Sequence, residues 1–389
     1  IKVATAASLI LCASSGTSNI TGWLKARGVG NAVTDGGALI VAGNTNITAT
    51  GQNVTFDHTS NNFQGPLKIK GANVSVTHPT ALILGDSTVT GTYDIRTTNG
   101  NITDDGTLLI TGASTFTTDA DGADITLDTT TNAFTGTVTV NTVGDGGNAE
   151  VHGGSTELKI IASGGVGDLN LTTTGGADIT DSGALSATGV TTINSGGNVT
   201  LNHGSSNLQG AVGASGAVIS LTHPTGIILG DSTVTSTYTV TATTGNITDA
   251  DSANLTITGL TTLVTSADGA DIILDETGHT FTGNVKVTTN ETGSNADAYA
   301  WIDGGSSVGL KIEKGSEVQG NLILRSGHAN TITDEGDSGV VTVDGNLTAT
   351  TYDNNGSITL DELAVDGTIG LNTHGTGNAK VVNDNGLQF

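Results

Sequence analysis

Two short turns of this sequence carry aspartates at a spacing that suits a hard cation. Asp119, Asp121 and Asp124 surround the first turn, and Asp268 and Asp271 surround the second. Calcium takes carboxylate and carbonyl oxygens as ligands, so these five aspartates are the candidate calcium ligands. No glutamate follows at the distance that closes a twelve-residue helix–loop–helix site, and Asp-Gly is also a common turn dipeptide. Calcium binding and plain turn chemistry are therefore both open, and no other cofactor is expected.

A second candidate is the tripeptide Val/Ile-Thr-Asp, which occurs five times and ends at Asp35, Asp104, Asp181, Asp249 and Asp334. Paired carboxylates act as general acid and base in glycoside cleavage, and Asp104-Asp105 is the pair to consider. A residue type that recurs five times along the chain is more simply structural. We therefore expect no enzyme, and keep a carbohydrate-active β-helix enzyme (a polysaccharide lyase or hydrolase, or a tailspike-like protein) as the alternative.

Two pairs of histidines stand at equivalent positions. His78 and His223 each precede a proline, and His58 and His203 lie upstream of them at the same interval in both copies. If one turn of the fold takes the length of that interval, each pair could stack and offer two nitrogens to a metal. Because no third ligand is evident, an ordinary polar role beside a turn is the favoured interpretation.

The elements that position these residues come from an internal duplication. The segment 76–93 returns further along the chain as 221–238, with 14 of 18 positions identical. A match of that length identifies the chain as a repeat protein. We expect partial repeats at 1–34 and 334–389 and full repeats at 35–180 and 181–333, so that the chain begins and ends within a repeat. The steps of 69, 77, 68 and 85 between successive Val/Ile-Thr-Asp tripeptides indicate two related halves in each copy.

Each half is a series of short runs in which aliphatic residues alternate with Thr, Ser, Asn or Lys, and Gly-Asn, Asp-Gly and Gly-Gly separate the runs. This is the pattern of strands with one buried face, joined by tight turns. With 58 glycines and only 3% aromatic residues, a narrow aliphatic core is expected. The sequence thus predicts an all-β, elongated parallel β-helix (β-solenoid) over 1–389, built from repeats of about 145 residues with roughly 20 residues per turn.

Composition excludes several functions. The formal net charge is −25, with 12 basic and 37 acidic residues, which argues against a nucleic-acid partner because phosphates require clustered Lys and Arg. No run of about 20 apolar residues is present, so membrane insertion is not expected. Cys12 is the only cysteine; it cannot form an intramolecular disulfide, and we expect it to be buried in a strand.

The pattern Gly-Asn-Ile/Val-Thr, as in Gly100-Asn-Ile-Thr-Asp104, Gly197-Asn-Val-Thr-Leu201 and Gly245-Asn-Ile-Thr-Asp249, resembles that of filamentous-haemagglutinin-like β-strand-repeat proteins. The resemblance covers essentially the whole chain and implies a right-handed parallel β-helix in a secreted bacterial surface protein. The long duplicated repeat of this chain exceeds the short repeats of that family.

These observations together predict an extracellular, cell-surface structural or adhesive β-solenoid. The expected partner is a second copy, joined head to tail through the solenoid ends, with strand addition from the segment Val3 to Cys12 as one mode. Surface carbohydrate or a receptor on a host or neighbouring cell is the other partner class. Trp23 and Trp301 could stack on a sugar or on a neighbouring subunit if exposed, and a role in the core or in an end cap is equally open. A monomeric fragment of a large secreted adhesin is the alternative within the same class.

Overall fold

The fold is described by a computed structural model that covers residues 2–5, 9–12, 16–143, 146–292, 298–327 and 331–386. Every regular element in these ranges is a β-strand, and the strand pairings between turns are parallel. Two compact units are present, Ile1–Gly197 and Asn198–Phe389, called unit 1 and unit 2 below. Each is a parallel β-solenoid, so the all-β solenoid prediction is confirmed. Within the described ranges, no helix has the length and apolarity needed to cross a membrane.

The strands of unit 1 are short because turn residues interrupt each aliphatic run. In chain order they are β1 (Lys2–Thr5), β2 (Leu9–Leu11), β3 (Thr17–Ile20), β4 (Leu24–Gly28), β5 (Val33–Asp35), β6 (Ala38–Val41), β7 (Thr45–Thr48), β8 (Val54–Phe56), β9 (Asn62–Phe63), β10 (Leu67–Gly71), β11 (Val74–His78), β12 (Leu82–Leu84), β13 (Ser87–Val89), β14 (Tyr93–Thr97), β15 (Ile102–Asp104), β16 (Leu108–Ile110), β17 (Ser114–Thr118), β18 (Ile125–Leu127), β19 (Ala133–Phe134), β20 (Thr137–Thr142), β21 (Ala149–His152), β22 (Leu158–Val166), β23 (Leu169–Thr172), β24 (Ile179–Ala187) and β25 (Thr191–Asn194).

Unit 2 is built in the same way. Its strands are β26 (Val199–Leu201), β27 (Asn207–Leu208), β28 (Val212–Gly216), β29 (Ile219–His223), β30 (Ile227–Leu229), β31 (Ser232–Val234), β32 (Tyr238–Ala242), β33 (Ile247–Asp249), β34 (Leu255–Ile257), β35 (Thr261–Asp268), β36 (Ile272–Leu274), β37 (Thr280–Phe281), β38 (Val285–Asn290), β39 (Ala300–Asp303), β40 (Leu310–Glu313), β41 (Glu317–Val318), β42 (Leu322–Ser326), β43 (Ile332–Glu335), β44 (Val341–Val343), β45 (Leu347–Asn354), β46 (Ile358–Val365), β47 (Ile369–His374) and β48 (Ala379–Asn383).

Strands of successive turns stack in register. The first turns of unit 1 have three faces, formed by β1, β4 and β7, by β2, β5 and β8, and by β3, β6 and β9. Further along, Ile102 pairs with Ile125, Ile125 with Ala149, and Ala149 with Leu169, so that successive turns differ in length. The observed turns are therefore close to the roughly 20 residues expected, but uneven.

The core is a set of columns of inward side chains. Strand β14 alternates buried and exposed positions, as a strand with one buried face must. Aliphatic columns fill most of the interior, as predicted, but the narrow core also holds aromatic residues. The ring centroids of Tyr93 and Phe116 are 5.9 Å apart and those of Phe116 and Phe134 are 6.2 Å apart, both edge to face, which is a favoured arrangement for aromatic pairs.

One expectation for the N-terminal segment is wrong and another stays a prediction. Strands β1 and β2 pair with β4 and β5 of the same chain, so they form part of its first turn. Strand addition from Val3 to Cys12 to a second copy stays a prediction, whereas the expectation of a buried strand cysteine is wrong. Residues 6–8 of that segment lie outside the described residues. Cys12 follows β2 with a φ of 63° and is half-buried, because the chain leaves the strand at this residue. The repeat boundaries and the right-handed winding stay predictions.

Glycines at the corners let turns approach without a side chain between them. A Cβ atom on Gly283 would lie 2.2 Å from the carbonyl oxygen of Gly259 and 2.4 Å from its carbonyl carbon. The backbone of the preceding turn therefore excludes any side chain at Gly283. The opposite case is Gly204, where a Cβ would meet no atom within 4 Å.

We expect Gly283→Ala to lower the free energy of unfolding by about 1–3 kcal/mol, because a methyl group at this corner forces the stacked turns apart. Gly204→Ala in the same unit is the matched control, and it should leave stability unchanged or raise it by about 0.4–1 kcal/mol by restricting the unfolded chain. Urea denaturation of both variants measures the difference. Equal stabilities of the two variants would contradict close stacking at Gly283.

Candidate functional site

Four of the five Val/Ile-Thr-Asp aspartates lie at corners of the solenoid and accept backbone N–H groups of the turn that follows: Asp35, Asp104, Asp249 and Asp334. Asp181 lies within β24. In unit 1, Asp104 ends β15 and is 9% exposed. One carboxylate oxygen accepts the backbone N–H groups of Asp128 (3.0 Å) and Thr129 (3.4 Å), and the other accepts the side-chain amide of Asn132 (2.6 Å). Burial raises the pKa of Asp104, and the hydrogen bond from Asn132 opposes that shift.

Asn132 connects this aspartate back to the strand that follows it. The side-chain oxygen of Asn132 accepts the buried backbone N–H of Leu108 at 2.8 Å. Its amide therefore satisfies one buried donor and one buried carboxylate at the same time. We call the set formed by Asp104, Asn132 and Leu108 a corner clasp.

The corner clasp occurs twice more in the described residues. Asn61 donates to Asp35 (2.5 Å) and accepts the backbone N–H of Leu39 (2.9 Å). In unit 2 a histidine takes the place of the asparagine: His279 lies 2.8 Å from Asp249 through Nε2, and its Nδ1 accepts the N–H of Leu255 at 3.1 Å. Because Nδ1 accepts a hydrogen bond, the proton of the imidazole is on Nε2 and is donated to the carboxylate.

The aspartates at these corners have a structural role, and Asp104 and Asp105 do not converge as an acid–base pair. Asp104 is buried and its carboxylate is engaged in the hydrogen bonds described above, whereas its neighbour Asp105 is exposed. Asp334 likewise accepts the backbone N–H groups of Asp361 (3.2 Å) and Glu362 (2.6 Å) of the following turn.

A second set of polar side chains runs along the solenoid as a ladder. In unit 1 the side-chain oxygen of Asn101 accepts the backbone N–H of Asp124 (3.0 Å), and Asp124 accepts that of Asn148 (2.8 Å). Asn148 then accepts the N–H of Asp168, and Asp168 that of Val190, each at 2.8 Å. Every rung thus uses the side chain of one turn to satisfy the backbone of the next.

Unit 2 contains the same ladder. Asn246 accepts the backbone N–H of Asp271 (2.9 Å), and Asp271 accepts that of Tyr299 (3.1 Å). Burial raises the pKa of Asp271, while the N–H of Tyr299 lowers it. Asn101 and Asn246 of the Gly-Asn-Ile/Val-Thr pattern therefore belong to the ladder. The asparagine of the pattern forms a hydrogen bond from one turn to the next at these two positions.

The five candidate calcium ligands are used in different ways. Asp124 and Asp271 are ladder rungs, as described. Asp119 accepts two bonds from Nε of Arg96 at 2.9 and 3.2 Å, Asp268 accepts the backbone N–H of Thr292 at 2.5 Å, and Asp121 is exposed.

Turn chemistry is evident at both sites. Gly122 and Gly269 have φ values of 66° and 70°, a conformation that glycine adopts readily. Among the described residues, no group of three or more His, Cys, Asp or Glu side chains is arranged to share a metal ion. Calcium binding at these turns stays a prediction.

Both ring nitrogens of His78 and of His223 make hydrogen bonds within the chain, whereas His58 and His203 each accept a backbone N–H at Nδ1. His78 accepts the backbone N–H of Phe63 through Nε2 (2.9 Å), and its Nδ1 lies 2.8 Å from the carbonyl oxygen of Thr80. His223 repeats the first contact with Leu208 at 3.0 Å. Burial lowers the pKa of both His78 and His223, so the neutral form is favoured. The ordinary polar interpretation of these histidines is the one that their contacts support.

The repeat character of the chain is also found by comparison with known families. The model of a family described as "Repeats of unknown function (DUF5649)" matches residues 3–70, 71–141, 146–215 and 215–288 in succession. Each match therefore spans about half of the long repeat, which agrees with the two related halves inferred within each copy. No curated protein and no solved structure matches the chain.

We expect Asn132→Leu to lower the free energy of unfolding by about 1–3 kcal/mol, because it leaves the buried N–H of Leu108 and one carboxylate oxygen of Asp104 without their hydrogen-bond partner. Asn132→His is the matched variant, since His279 makes the same two contacts in unit 2. It should retain most of the stability in urea denaturation. The clasp would be contradicted if leucine were tolerated as well as histidine.

Stability should fall as the pH decreases below about 6.5. The folded-state pKa values of His78 and His223 are lowered from 6.5, so the unfolded chain takes up protons that the folded chain does not, and folding becomes less favourable in that pH range. Urea denaturation between pH 5 and 8 measures the slope. His78→Gln should reduce the slope, and a full slope in this variant would contradict the assignment.

Proposed function

The chain belongs to the DUF5649 family of repeats, and we propose that it works as an extracellular structural and adhesive β-solenoid, as a subunit of a cell-surface filament. The observation that carries this proposal is that polar side chains of catalytic type make hydrogen bonds between successive turns. Carboxylates and amides that could serve chemistry, such as Asp104 and Asp124, are engaged in hydrogen bonds between turns. That arrangement suits a scaffold that presents a repeated surface.

Charge and stabilisation fit an extracellular location. With a single cysteine, stability comes from stacked backbone and side-chain hydrogen bonds and needs no disulfide. A net charge of −25 keeps copies soluble and discourages sideways association of their sheets. The resemblance to filamentous-haemagglutinin-like surface proteins supports the same assignment.

The proposed assembly contact is head to tail. Ile369 and Leu371 of β47 and Val381 of β48 are in register with buried residues of the preceding turn, yet they are only half-buried. A further turn stacked on β47 and β48 would cover these apolar side chains. Under this proposal a second copy supplies that turn; under the alternative, a large secreted adhesin, the same polypeptide does.

The second alternative is a carbohydrate-active β-helix enzyme. The carboxylates considered for that role give it no support, since Asp104 is held by Asn132 and Asp249 by His279. A carbohydrate partner remains compatible with the adhesive role, because binding a glycan requires no catalytic pair.

Electron microscopy of the purified chain tests the filament. We expect fibres with a regular axial repeat, and Leu371→Asp should abolish them because it places a charge on the apolar end contact. Ile228→Asp, at an outward position that is 39% exposed, is the matched control and should leave the fibres intact. A strict monomer at high concentration, established by light scattering, would contradict head-to-tail assembly.

The same samples test the calcium prediction when they are prepared with calcium and with chelator. If the aspartate turns bind a bridging ion, fibres will dissolve in chelator and Asp121→Asn together with Asp268→Asn will remove that sensitivity. Fibres that are unaffected by chelator and by the substitutions would overturn the prediction.

A further inference from the structure

Basic residues are concentrated in the first turns of unit 1. Residues 1–80 contain five of the 12 lysines and arginines but only two of the 37 acidic residues. The rest of the chain is therefore strongly acidic, while this segment has a net positive charge. Such asymmetry within one chain indicates a partner that the basic part attracts.

Four of these cations lie side by side on one face of the solenoid. Lys25 and Arg27 are outward positions of β4, and Lys68 and Lys70 are outward positions of β10. Strand β7 lies between them, with Asn46 in register with both Lys25 and Lys68. At about 4.8 Å per strand, Lys25 and Lys68 are separated by about 9.6 Å, a distance comparable with the repeat of a disaccharide.

A groove of about 570 Å³ opens beside these lysines. Trp23, Lys25, Lys68, Asn44 and Asn46 line it, and Trp23 is 57% exposed. We call it the Trp23 groove. Beside Trp23 the groove is lined by backbone, because Gly22 and Gly43 stack at this corner. Gly43 donates its backbone N–H to the carbonyl oxygen of Gly22 at 2.9 Å.

We propose that the Trp23 groove binds an acidic polysaccharide whose sugar rings carry carboxylates, that is, a uronic acid polymer. The Trp23 ring offers an apolar platform to one face of a sugar, and its amphipathic character suits a partly wet site. The amides of Asn44 and Asn46 can donate to and accept from hydroxyl groups, and Lys25 and Lys68 can pair with carboxylates. The inference rests on the adhesive part of the proposed function and does not require a filament.

A moderately charged glycan fits this protein better than other anions do. The total charge of −25 repels a dense polyanion such as nucleic acid, whereas one carboxylate per sugar can be neutralised by the local lysines. An acidic face of a second copy has the right sign but presents no sugar-like ring to Trp23. The observations therefore favour the glycan, and association with a second copy becomes an outcome of the test.

One of the four cations, Lys68, already forms an ion pair with Asp86. Nζ of Lys68 lies 2.8 Å from the carboxylate of Asp86, which is 66% exposed. A uronate carboxylate would displace this exposed partner, so Asp86 competes with the ligand. Asp86→Asn should accordingly strengthen binding, an effect opposite to that of the lysine and tryptophan substitutions.

The test is calorimetric titration of the full chain with an oligogalacturonate and with its methyl-esterified, uncharged form. We expect binding of the acid that weakens with salt and binding of the ester that is about tenfold weaker or lost. Trp23→Ala should weaken binding about tenfold or more, Lys25→Gln and Lys68→Gln by several-fold each, and Asp86→Asn should tighten it. Far-UV circular dichroism and the urea midpoint verify that the variants fold.

Matched controls are Lys159→Gln, which removes an exposed charge elsewhere in unit 1, and Tyr352→Ala, which removes an exposed aromatic ring in unit 2. Both should bind as the unaltered chain does. Absence of binding, binding that is insensitive to Trp23→Ala, or Lys25-dependent self-association without glycan binding would each overturn the proposal. Fibre formation is scored separately by microscopy, so a negative result for glycan binding does not bear on the filament proposal.

Discussion

A stacked β-solenoid depends on finding acceptors for the backbone N–H groups at its corners. Along the faces, parallel strands satisfy one another, but between faces the chain bends and the ladder is interrupted. A buried N–H without an acceptor costs about 1–3 kcal/mol, and such corners recur in every turn. In this protein, side-chain oxygens accept these N–H groups: those of Asn101 and Asp124 at one corner, and those of Asn132 and Asp104 at another. The richness in Asn and Asp is consistent with this requirement.

The same constraint explains why several of the residues that first suggest catalysis or metal binding make hydrogen bonds to the next turn. A carboxylate that accepts two or three hydrogen bonds from the next turn, as Asp104 does, is fixed in position and has little capacity for a substrate. His279 and His78 illustrate the point for imidazole, since one ring nitrogen of each accepts a buried backbone N–H. Spacing alone does not distinguish a ligand set from a corner, because both place polar groups at intervals of one turn.

Much of the fold could be predicted from the sequence. The alternation of aliphatic with polar residues predicted short strands with one buried face, of which Ile125–Leu127 and Thr137–Thr142 are examples, and the duplication predicted a repeat protein. The partners could not be predicted, because Asn132 reaches Asp104 across 28 residues and the length of a turn varies from one to the next. The Trp23 groove could not be predicted for the same reason. That Lys25 and Lys68 lie on one face, on either side of Asn46, follows only when the lengths of two turns are known. His279 was detectable, because it is the repeat counterpart of Asn132.

Outward positions on the strands are the part of a solenoid that folding leaves most free. Leu24 and Ala26 of β4 must be apolar because they face the core, whereas Lys25 and Arg27 between them contact solvent, and threonine or asparagine serves there in other strands. The ion pair with Asp86 gives Lys68 of β10 a role in the fold, but folding does not require a second cation opposite it on β4, where Lys25 and Lys68 repel one another across β7. Binding gives a reason, since an anion that pairs with both Lys25 and Lys68 removes their repulsion, and the free energy released favours the bound state. The charge on this face is thus better explained by a partner than by the fold.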